Sequence, residues 1–246
     1  MARIEVANLR KTYYDTADEV EVLRGVDLTI EPGEMVAIVG QSGVGKTTLL
    51  YIMGALDRPT SGTVLYDGAD VFAETDPAEL AAFRNRKVGF VFQFHHLIPE
   101  FSALENVMMP ALVARTPRNK AQEMALDALK MVGVDHRRNH QPGELSGGEQ
   151  QRVAVARSLV MRPEVILADE PTGNLDTDTS MVLHDELFRL NQENGITFVI
   201  VTHNEHLAQT IPRTVRLERG VALEVKGRLY DRETAETEED KQTDAQ

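Results

Sequence analysis

The stretch that decides the fold is Gly40-Gln41-Ser42-Gly43-Val44-Gly45-Lys46-Thr47-Thr48. It follows a short apolar run, Met35 to Val39, which is typical of a buried strand, and it precedes Leu49 to Met53, which is typical of the first turns of a helix. In this order of strand, loop and helix, the pattern G-x-x-x-x-G-K-[ST] indicates a phosphate-binding loop rather than an ordinary glycine-rich turn. We therefore predict a nucleotide site at residues 40–48.

The residue types of this loop match the chemistry of a phosphate site. Glycines allow backbone angles and close approaches that a Cβ would block. Consecutive N–H groups can then surround an anion beside the N-terminus of the following helix. We expect Lys46 to reach the β- and γ-phosphates and the Thr47 hydroxyl to bind Mg²⁺. The predicted nucleotide-binding residues of the loop are Gly40, Gln41, Ser42, Gly43, Val44, Gly45, Lys46, Thr47 and Thr48.

Composition narrows the possible classes of function. The 246 residues carry a formal charge of −13, which disfavours non-specific binding of nucleic acid. There is no cysteine, so disulfides and thiolate metal sites are excluded. The first residues lack the apolar core of a signal peptide, and no stretch approaches the roughly 18 apolar residues of a transmembrane helix. A role at a membrane is therefore expected to depend on a partner.

Outside the loop, the hydrophobic pattern predicts an α/β fold. Residues 3–6 and 20–30 alternate like strands, and a turn-like segment with two tyrosines lies between them at 11–15. Short apolar runs separated by helices indicate a parallel sheet that is covered on both faces. Those runs are residues 35–39, 88–92, 165–168 and 197–201.

Two further segments complete the predicted organisation. Between about residues 102 and 160 the pattern is helical, which suggests a helical subdomain inserted into the core. Residues 231–246 hold seven acidic residues against two basic ones and show no apolar periodicity, so a disordered acidic tail is predicted there. We thus predict one nucleotide-binding domain over residues 1–230 and a tail over 231–246.

A pair of carboxylates follows the apolar run at 165–168. Ligands of open parallel sheets bind at the carboxyl ends of the strands, which would place Asp169 beside Thr47 as a second Mg²⁺ ligand. Glu170 would then be free to orient and deprotonate an attacking water. On its own, Asp169-Glu170 would be better explained as a capping or solvated acidic pair; the phosphate loop upstream favours the functional interpretation.

The string Leu145-Ser146-Gly147-Gly148-Glu149-Gln150-Gln151-Arg152 is the most specific in the chain. It has a serine N-cap and two glycines that expose backbone N–H groups at the start of a helix, which is a second predicted anion site. With the two motifs above, it resembles the signature of ABC-type ATPases, and the resemblance covers roughly residues 3 to 225. It implies a P-loop NTPase fold of ABC-ATPase type, with a parallel-sheet core, an N-terminal antiparallel β subdomain and an inserted helical subdomain.

The resemblance also implies a reaction and an assembly. The chain would hydrolyse ATP to ADP and phosphate with Mg²⁺, and it would pair head to tail with a second copy of itself. Each signature, with Ser146, Gly147, Gly148 and Glu149, would cover the γ-phosphate held by the loop of the other copy. Asn204 stands where the family often has aspartate, which puts any ionic role of that position in doubt.

Single residues acquire expected roles from the same resemblance. Tyr13 fits the aromatic that stacks on adenine, although its neighbour Tyr14 stays an open alternative. Asp176 fits the acid of a loop that crosses the dimer interface. The residues expected to be catalytic are Lys46, Gln93, Glu170 and His203, and those expected to hold the metal are Thr47, Gln93 and Asp169.

Within the family, residues 94–107, 134–140 and 169–176 are similar to a subgroup that serves lipoprotein release, MacB-type efflux and FtsE-type cell division. This implies integral membrane permease subunits as partners, no nucleic acid, and a peripheral position on the cytoplasmic face of the inner membrane. Residues 94–101 would help to form the groove for a cytoplasmic helix of the partner. An alternative, a related ATPase that acts on DNA or ribosomes, is disfavoured by the acidic charge and by the absence of heptads between the motifs.

Overall fold

Two sheets form the framework of this computed structural model, which describes residues 2–14, 19–73 and 76–225. The smaller sheet has four strands in the order β2-β1-β4-β5, and the larger has six in the order β10-β9-β3-β8-β7-β6. In chain order the strands are β1 Ile4–Tyr14, β2 Glu19–Ile30, β3 Met35–Val39, β4 Ser61–Tyr66, β5 Ala69–Asp70, β6 Val88–Val91, β7 Val165–Asp169, β8 Thr197–Val201, β9 Arg213–Glu218 and β10 Val221–Glu224.

Seven α-helices connect these strands within the described residues. Helix α1 follows the glycine-rich loop, α3 to α5 lie together in the chain between β6 and β7, and α6 joins β7 to β8. Their bounds are α1 Lys46–Met53, α2 Pro77–Lys87, α3 Ala103–Val113, α4 Arg118–Met131, α5 Gly147–Leu159, α6 Thr177–Asn194 and α7 Glu205–Thr210. In the part of the chain that is described, no helix combines the length and apolar character needed to cross a membrane.

The larger sheet brings the predicted motifs to one edge. Strands β6, β7, β8, β3 and β9 run parallel, and only β10 is antiparallel to its neighbour. Val201 pairs with Ile38 on one side and with Asp169 on the other, so β3, β7 and β8 end at the same level. The glycine-rich loop follows β3, and His203 follows β8. Both are held in place because the apolar residues of β3, β7 and β8 are buried in the core.

The first sheet corrects one prediction. Lys11 to Tyr14 do not form a turn; they continue β1, and Lys11 pairs with Leu23 while Tyr13 pairs with Val20. Tyrosine favours strands. The pairing of β1 with β2 contains register shifts but continues to Tyr14. The remaining residue of that predicted turn, Asp15, lies outside the described residues.

Side-chain caps explain where α3 and α5, two of the helices between β6 and β7, begin. Ser102 caps α3 and forms a reciprocal capping box with Glu105, which satisfies two backbone N–H groups at the start of the helix. On α4, one face is apolar and buried, with Ala121, Ala125 and Leu129 four residues apart. These helices fall within residues 102–160, but their status as a subdomain remains a prediction. The tail predicted at 231–246 lies outside the described residues.

A close approach between β6 and α5 gives a prediction about stability. A Cβ added to Gly89 would lie 2.6 Å from the carbonyl oxygen of Ser158 and 3.2 Å from Ile166, so backbone would have to move. We expect Gly89→Ala to lower the free energy of unfolding by about 1–3 kcal/mol because a packed core resists extra volume. Urea denaturation at pH 7 measures the change.

The matched control is Gly143→Ala. Gly143 is exposed and has open space around the position of its Cβ, so the free energy of unfolding should hardly change. Equal stability of the Gly89→Ala variant and the wild type would contradict the packing described for β6 and α5.

Candidate nucleotide site

A cleft of about 470 Å³ opens at the aligned ends of β3, β7 and β8. It brings together the glycine-rich loop, the two carboxylates after β7, Gln93 and His203, which are far apart in the sequence. Val22 of β2 also belongs to it, and no sequence pattern predicted that residue. The cleft is lined by Val22, Ser42, Gly43, Gly45, Lys46, Thr47, Thr48, Gln93, Asp169, Glu170, Val201 and His203.

The loop places a positive charge at the start of α1. The Lys46 ammonium donates to the carbonyl oxygens of Gly40 at 2.8 Å and Gln41 at 3.0 Å, and the residue is 9% exposed. Gly45 caps the helix with φ at +105°, in the left-handed region, and an added Cβ there would lie 2.7 Å from a methyl group of Val22. The loop conformation thus requires glycine at position 45. It also places the Lys46 ammonium close to the N-terminus of α1.

Thr47 and Asp169 meet as the sequence predicts. The Thr47 hydroxyl donates to Oδ1 of Asp169 at 3.1 Å. Burial raises the pKa of Asp169, and the charge of Glu170 raises it further, while the bond from Thr47 and the charge of Lys46 act in the opposite direction. A hydroxyl beside a partly desolvated carboxylate is an oxygen donor set that suits Mg²⁺, and a cation would relieve the cost of that burial.

Glu170 adopts an unusual backbone conformation. Its φ is +48°, a left-handed angle that a residue with a Cβ rarely adopts, and its N–H donates to the Val201 carbonyl at 2.9 Å. In a regular strand, consecutive side chains point to opposite faces. Because the chain turns at Glu170, both Asp169 and Glu170 line the same cleft.

His203 is bound directly to Glu170. The histidine ring Nδ1 lies 2.7 Å from Oε1 of the carboxylate, and the backbone N–H of His203 donates to Oε2 at 3.2 Å. The Glu170 side chain is 15% exposed, whereas the His203 side chain is 70% exposed. The pair therefore presents a sheltered carboxylate and an accessible ring at the edge of the cleft.

Gln93 is oriented by Asn174, a residue of the segment 169–176 for which the sequence predicted no role of its own. Its side-chain amide donates to Oδ1 of Asn174 at 3.1 Å, and the amide of Asn174 donates back to the carbonyl of Gln93 at 3.1 Å. Gly173 makes room for this pair, since an added Cβ would lie 2.9 Å from the Gln93 amide nitrogen. Hydrogen bonds thus connect the segment after β6 to the loop after Glu170.

Tyr13 is held near the glycine-rich loop, although it does not line the cleft. Its hydroxyl donates to Asp57 at 2.8 Å, and the Lys11 ammonium binds the same carboxylate at 2.8 Å while lying 4.6 Å from the tyrosine ring centre. Burial raises the pKa of Tyr13, as does its hydrogen bond to Asp57, and the Thr48 side chain is a further hydrogen-bonding neighbour. Tyr14 is 72% exposed. Lys11 and Asp57 were missed because 46 residues separate them and neither belongs to a motif.

The signature segment forms a second group, outside the cleft. Ser146 caps α5, and its hydroxyl accepts from the Glu149 N–H at 3.2 Å. The Glu149 carboxylate accepts from the Ser146 N–H at 2.8 Å and pairs with Arg137 at 2.8 Å. The hydrogen bond from the Ser146 backbone N–H lowers the pKa of Glu149, and the hydrogen bond and charge of Arg137 lower it further, to about 2. The Glu149 carboxylate thus caps its own helix, and its expected place at a nucleotide stays a prediction.

The second group also includes Asp176. Its carboxylate caps α6 and accepts from the Thr179 N–H at 2.9 Å and hydroxyl at 2.7 Å. Gly148 faces the same threonine, since an added Cβ would lie 2.4 Å from a Thr179 methyl group. Among the residues that line the cleft, none comes from positions 146–149 or 176. The structure therefore assembles most of the predicted site residues into two groups. Tyr13 belongs to neither group, and Gly40, Gln41 and Val44 line an adjacent pocket.

Fold and cleft together define a nucleotide-binding domain with a phosphate loop, a strand-end acidic pair and a separate signature helix. A family model for ABC transporters matches residues 23–173. The chain belongs to the ABC transporter family.

Several relatives resemble nearly the whole chain. The lipoprotein-releasing system ATP-binding protein LolD of Geobacter metallireducens is 58% identical over 217 residues, which are 88% of this chain and 96% of the relative. The protein of the same name from Syntrophus aciditrophicus is 57% identical over 88% of this chain and 97% of its own. Among solved structures, the dimeric bacterial ABC transporter cassette MJ0796 is similar with a TM-score of 0.81 and 41% identity, over 91% of this chain and 99% of that chain.

The low pKa of Glu149 predicts a pH-dependent contribution to stability. Since the folded-state pKa lies below the ordinary value of 4.5, the ionised carboxylate stabilises the fold above about pH 4.5, and this stabilisation is lost as the pH falls towards about 2. We expect Glu149→Gln to lower the free energy of unfolding by about 1 kcal/mol at pH 7. The difference from the wild type should shrink below pH 4.5, as followed by urea denaturation.

Glu123→Gln is the control, because it makes the same charge change on the exposed face of α4. It should not show this pH-dependent difference. A Glu149→Gln effect that stays constant from pH 7 to pH 3 would mean that the charge is not what stabilises the capping box.

Proposed function

We propose that this chain is the ATP-hydrolysing subunit of a transporter that releases lipoproteins from the inner membrane toward the outer membrane. One observation carries the proposal: the groups needed for hydrolysis lie in one cleft, while the signature helix begins outside it. Such a site is complete only when a second copy supplies the signature. The cargo class rests on the relatives named LolD, which match most of the chain.

Binding of ATP is assigned to the loop and its neighbours. The backbone N–H groups at Gly43 and Gly45, the start of α1 and the Lys46 ammonium would bind the phosphates. Mg²⁺ would be held by the Thr47 hydroxyl, the Asp169 carboxylate and the Gln93 carboxamide. The bound metal would neutralise negative charge on the phosphates. Of the two tyrosines, Tyr13 is the better candidate for stacking on adenine, because Asp57 and Lys11 fix its position.

Hydrolysis is assigned to Glu170 and His203. The Glu170 carboxylate would accept a proton from the attacking water, and its contact with His203 fixes its orientation. The exposed ring of His203 would contact the γ-phosphate at the mouth of the cleft. Gln93, bound by Asn174, would sense whether the metal and the phosphate are present.

The second copy would close the site. Ser146, Gly147 and Gly148 present N–H groups at the start of α5, where a helix favours an anion. Asp176 lies in the same group and would approach the other copy. The related cassette MJ0796 has been solved as a dimer and also in a post-hydrolysis state bound to ADP and phosphate, at 41% and 40% identity to this chain.

The membrane partners are proposed to be permease subunits of the LolC/LolE kind, which would hold this subunit peripherally at the cytoplasmic face of the inner membrane. The contact is assigned to residues 94–101. Within them, Phe94 is 64% exposed, and Asn106 fixes the loop by hydrogen bonds to Ile98, Phe101 and Ser102. A large apolar side chain exposed on a rigid loop suits a protein interface.

Replacement of the proposed base tests the catalytic assignment. Glu170→Gln should still bind ATP and dimerise, but its turnover should fall by about 10²- to 10⁴-fold, because the amide cannot accept the proton. Phosphate release measures turnover, and analytical ultracentrifugation measures the dimer. Glu123→Gln, exposed on α4, should behave like the wild type, and wild-type turnover of Glu170→Gln would refute the assignment of the base.

The choice of partner is tested by copurification. We expect the tagged full chain, isolated from detergent-solubilised membranes, to bring two lipoprotein-release permease subunits with it, and Phe94→Ser to bring less of them. Ser replaces the apolar contact, whereas Val113→Ser removes an equally exposed apolar residue outside residues 94–101 and serves as the control. Recovery of an efflux or cell-division membrane protein instead would decide against lipoprotein release.

A further inference from the structure

Three side chains join the segment after β6 to helix α5. The His95 ring Nε2 lies 3.0 Å from the Gly147 carbonyl oxygen, at the start of the helix. One turn further, the amide of Gln151 donates to the Phe92 carbonyl at 3.0 Å. Near the other end, Arg157 donates to the carbonyl oxygens of His96 at 2.6 Å and His95 at 2.7 Å. The contacts therefore hold residues 92–96 along almost the whole helix.

The spacing and burial of these contacts indicate that residues 92–96 and α5 form one rigid unit. Positions 147 and 157 are ten residues apart, which is about 15 Å along a helix. Gln151 is almost fully buried, and burial lowers the pKa of the Arg157 guanidinium. Because buried donors are costly to leave without partners, residues 92–96 and α5 are expected to move together.

Of these three side chains, His95 is the one that contacts residues 146–149, the part of the signature expected at the nucleotide of the other copy. A carbonyl oxygen can only accept a hydrogen bond, so Nε2 of His95 must carry the hydrogen. Burial lowers the pKa of His95, and the charge of Arg157 and the neighbouring His96 lower it further. A neutral ring with its hydrogen on Nε2 is therefore the form that suits this contact.

The bond to Gly147 also acts on a peptide group that carries a neighbouring N–H. The Gly147 carbonyl and the Gly148 N–H belong to the same planar peptide group. That N–H is one of the first four of α5 and has no partner within the helix. Holding the carbonyl thus aims an N–H at the place where the signature is proposed to meet the phosphate of the other copy.

We propose that His95 is a positioning residue that links the partner-facing segment 94–101 to the signature of α5. The proposal rests on the function assigned above. A displacement of the segment by the membrane partner would turn the Gly147–Gly148 peptide and change its fit to the nucleotide held by the second copy. His95 itself does not line the nucleotide cleft.

The first test measures ATP-dependent dimerisation of the full chain by analytical ultracentrifugation. In a Glu170→Gln background, we expect His95→Ala to raise the dimer dissociation constant about three- to tenfold, the effect of one lost hydrogen bond. ATP affinity of the monomer should not change. His95→Gln should restore dimerisation, because its side-chain N–H can reach the same carbonyl.

His96→Ala is the matched control. His96 is the adjacent, exposed histidine; its ring packs edge-on against Phe92 with centroids 5.4 Å apart, and its link to α5 is through its backbone carbonyl. It should dimerise like the Glu170→Gln reference. An unchanged dissociation constant in His95→Ala, an equal loss in His96→Ala, or a failure of His95→Gln to restore dimerisation would each overturn the proposal.

A second measurement does not depend on the dimer. Hydrogen exchange of the amides of Glu149 and Gln150, which are hydrogen-bonded to Ser146, should become about three- to tenfold faster in the His95→Ala monomer and return to the reference rate in His95→Gln. If Glu170→Gln itself does not dimerise with ATP, the proposed function fails, and the exchange rates still decide the role of His95. Unchanged exchange in His95→Ala would refute that role.

Discussion

The site depends on one constraint: three parallel strands of the larger sheet must end at the same level. Val201 pairs with both Ile38 and Asp169, and this register alone places the glycine-rich loop, the acidic pair and the segment of His203 side by side. A one-residue slip of a strand would turn its side chains to the opposite face. The nearly continuous burial of β3, β7 and β8 prevents such a slip. The packing of the hydrophobic core therefore also fixes the relative positions of the site residues.

The sequence predicted what local patterns encode. The glycine-rich loop, the cap at Ser146 and the meeting of Thr47 with Asp169 follow from motif spacing and from the rule that parallel strands present ligands at their carboxyl ends. Tyr13 was misplaced in a turn because strand pairing with β2 cannot be read from adjacent aromatics. The left-handed angle of Glu170 was not predicted either, because nothing in the local sequence indicates it.

The residues that orient the site were missed for a different reason. Asn174 binds Gln93 across 81 positions, and Asp57 binds Tyr13 across 44. Such pairs are created by the tertiary fold, and neither partner needs a particular neighbour in the sequence. Motifs therefore identify the groups that carry the chemistry, whereas the structure is needed to find the groups that hold them in position.

Residues 92–96 connect the two groups of site residues within one chain. On one side, Gln93 is bound to Asn174, which follows Glu170 and the cleft. On the other, Phe92 and His95 are bound to α5, whose first residues form the signature. A shift of this short segment must therefore disturb a contact at the cleft, a contact at the signature, or both. In the proposed head-to-tail dimer the two groups would serve different nucleotides. This segment would then let the two sites influence each other through a single chain, and the membrane partner is proposed to bind at residues 94–101, which overlap it.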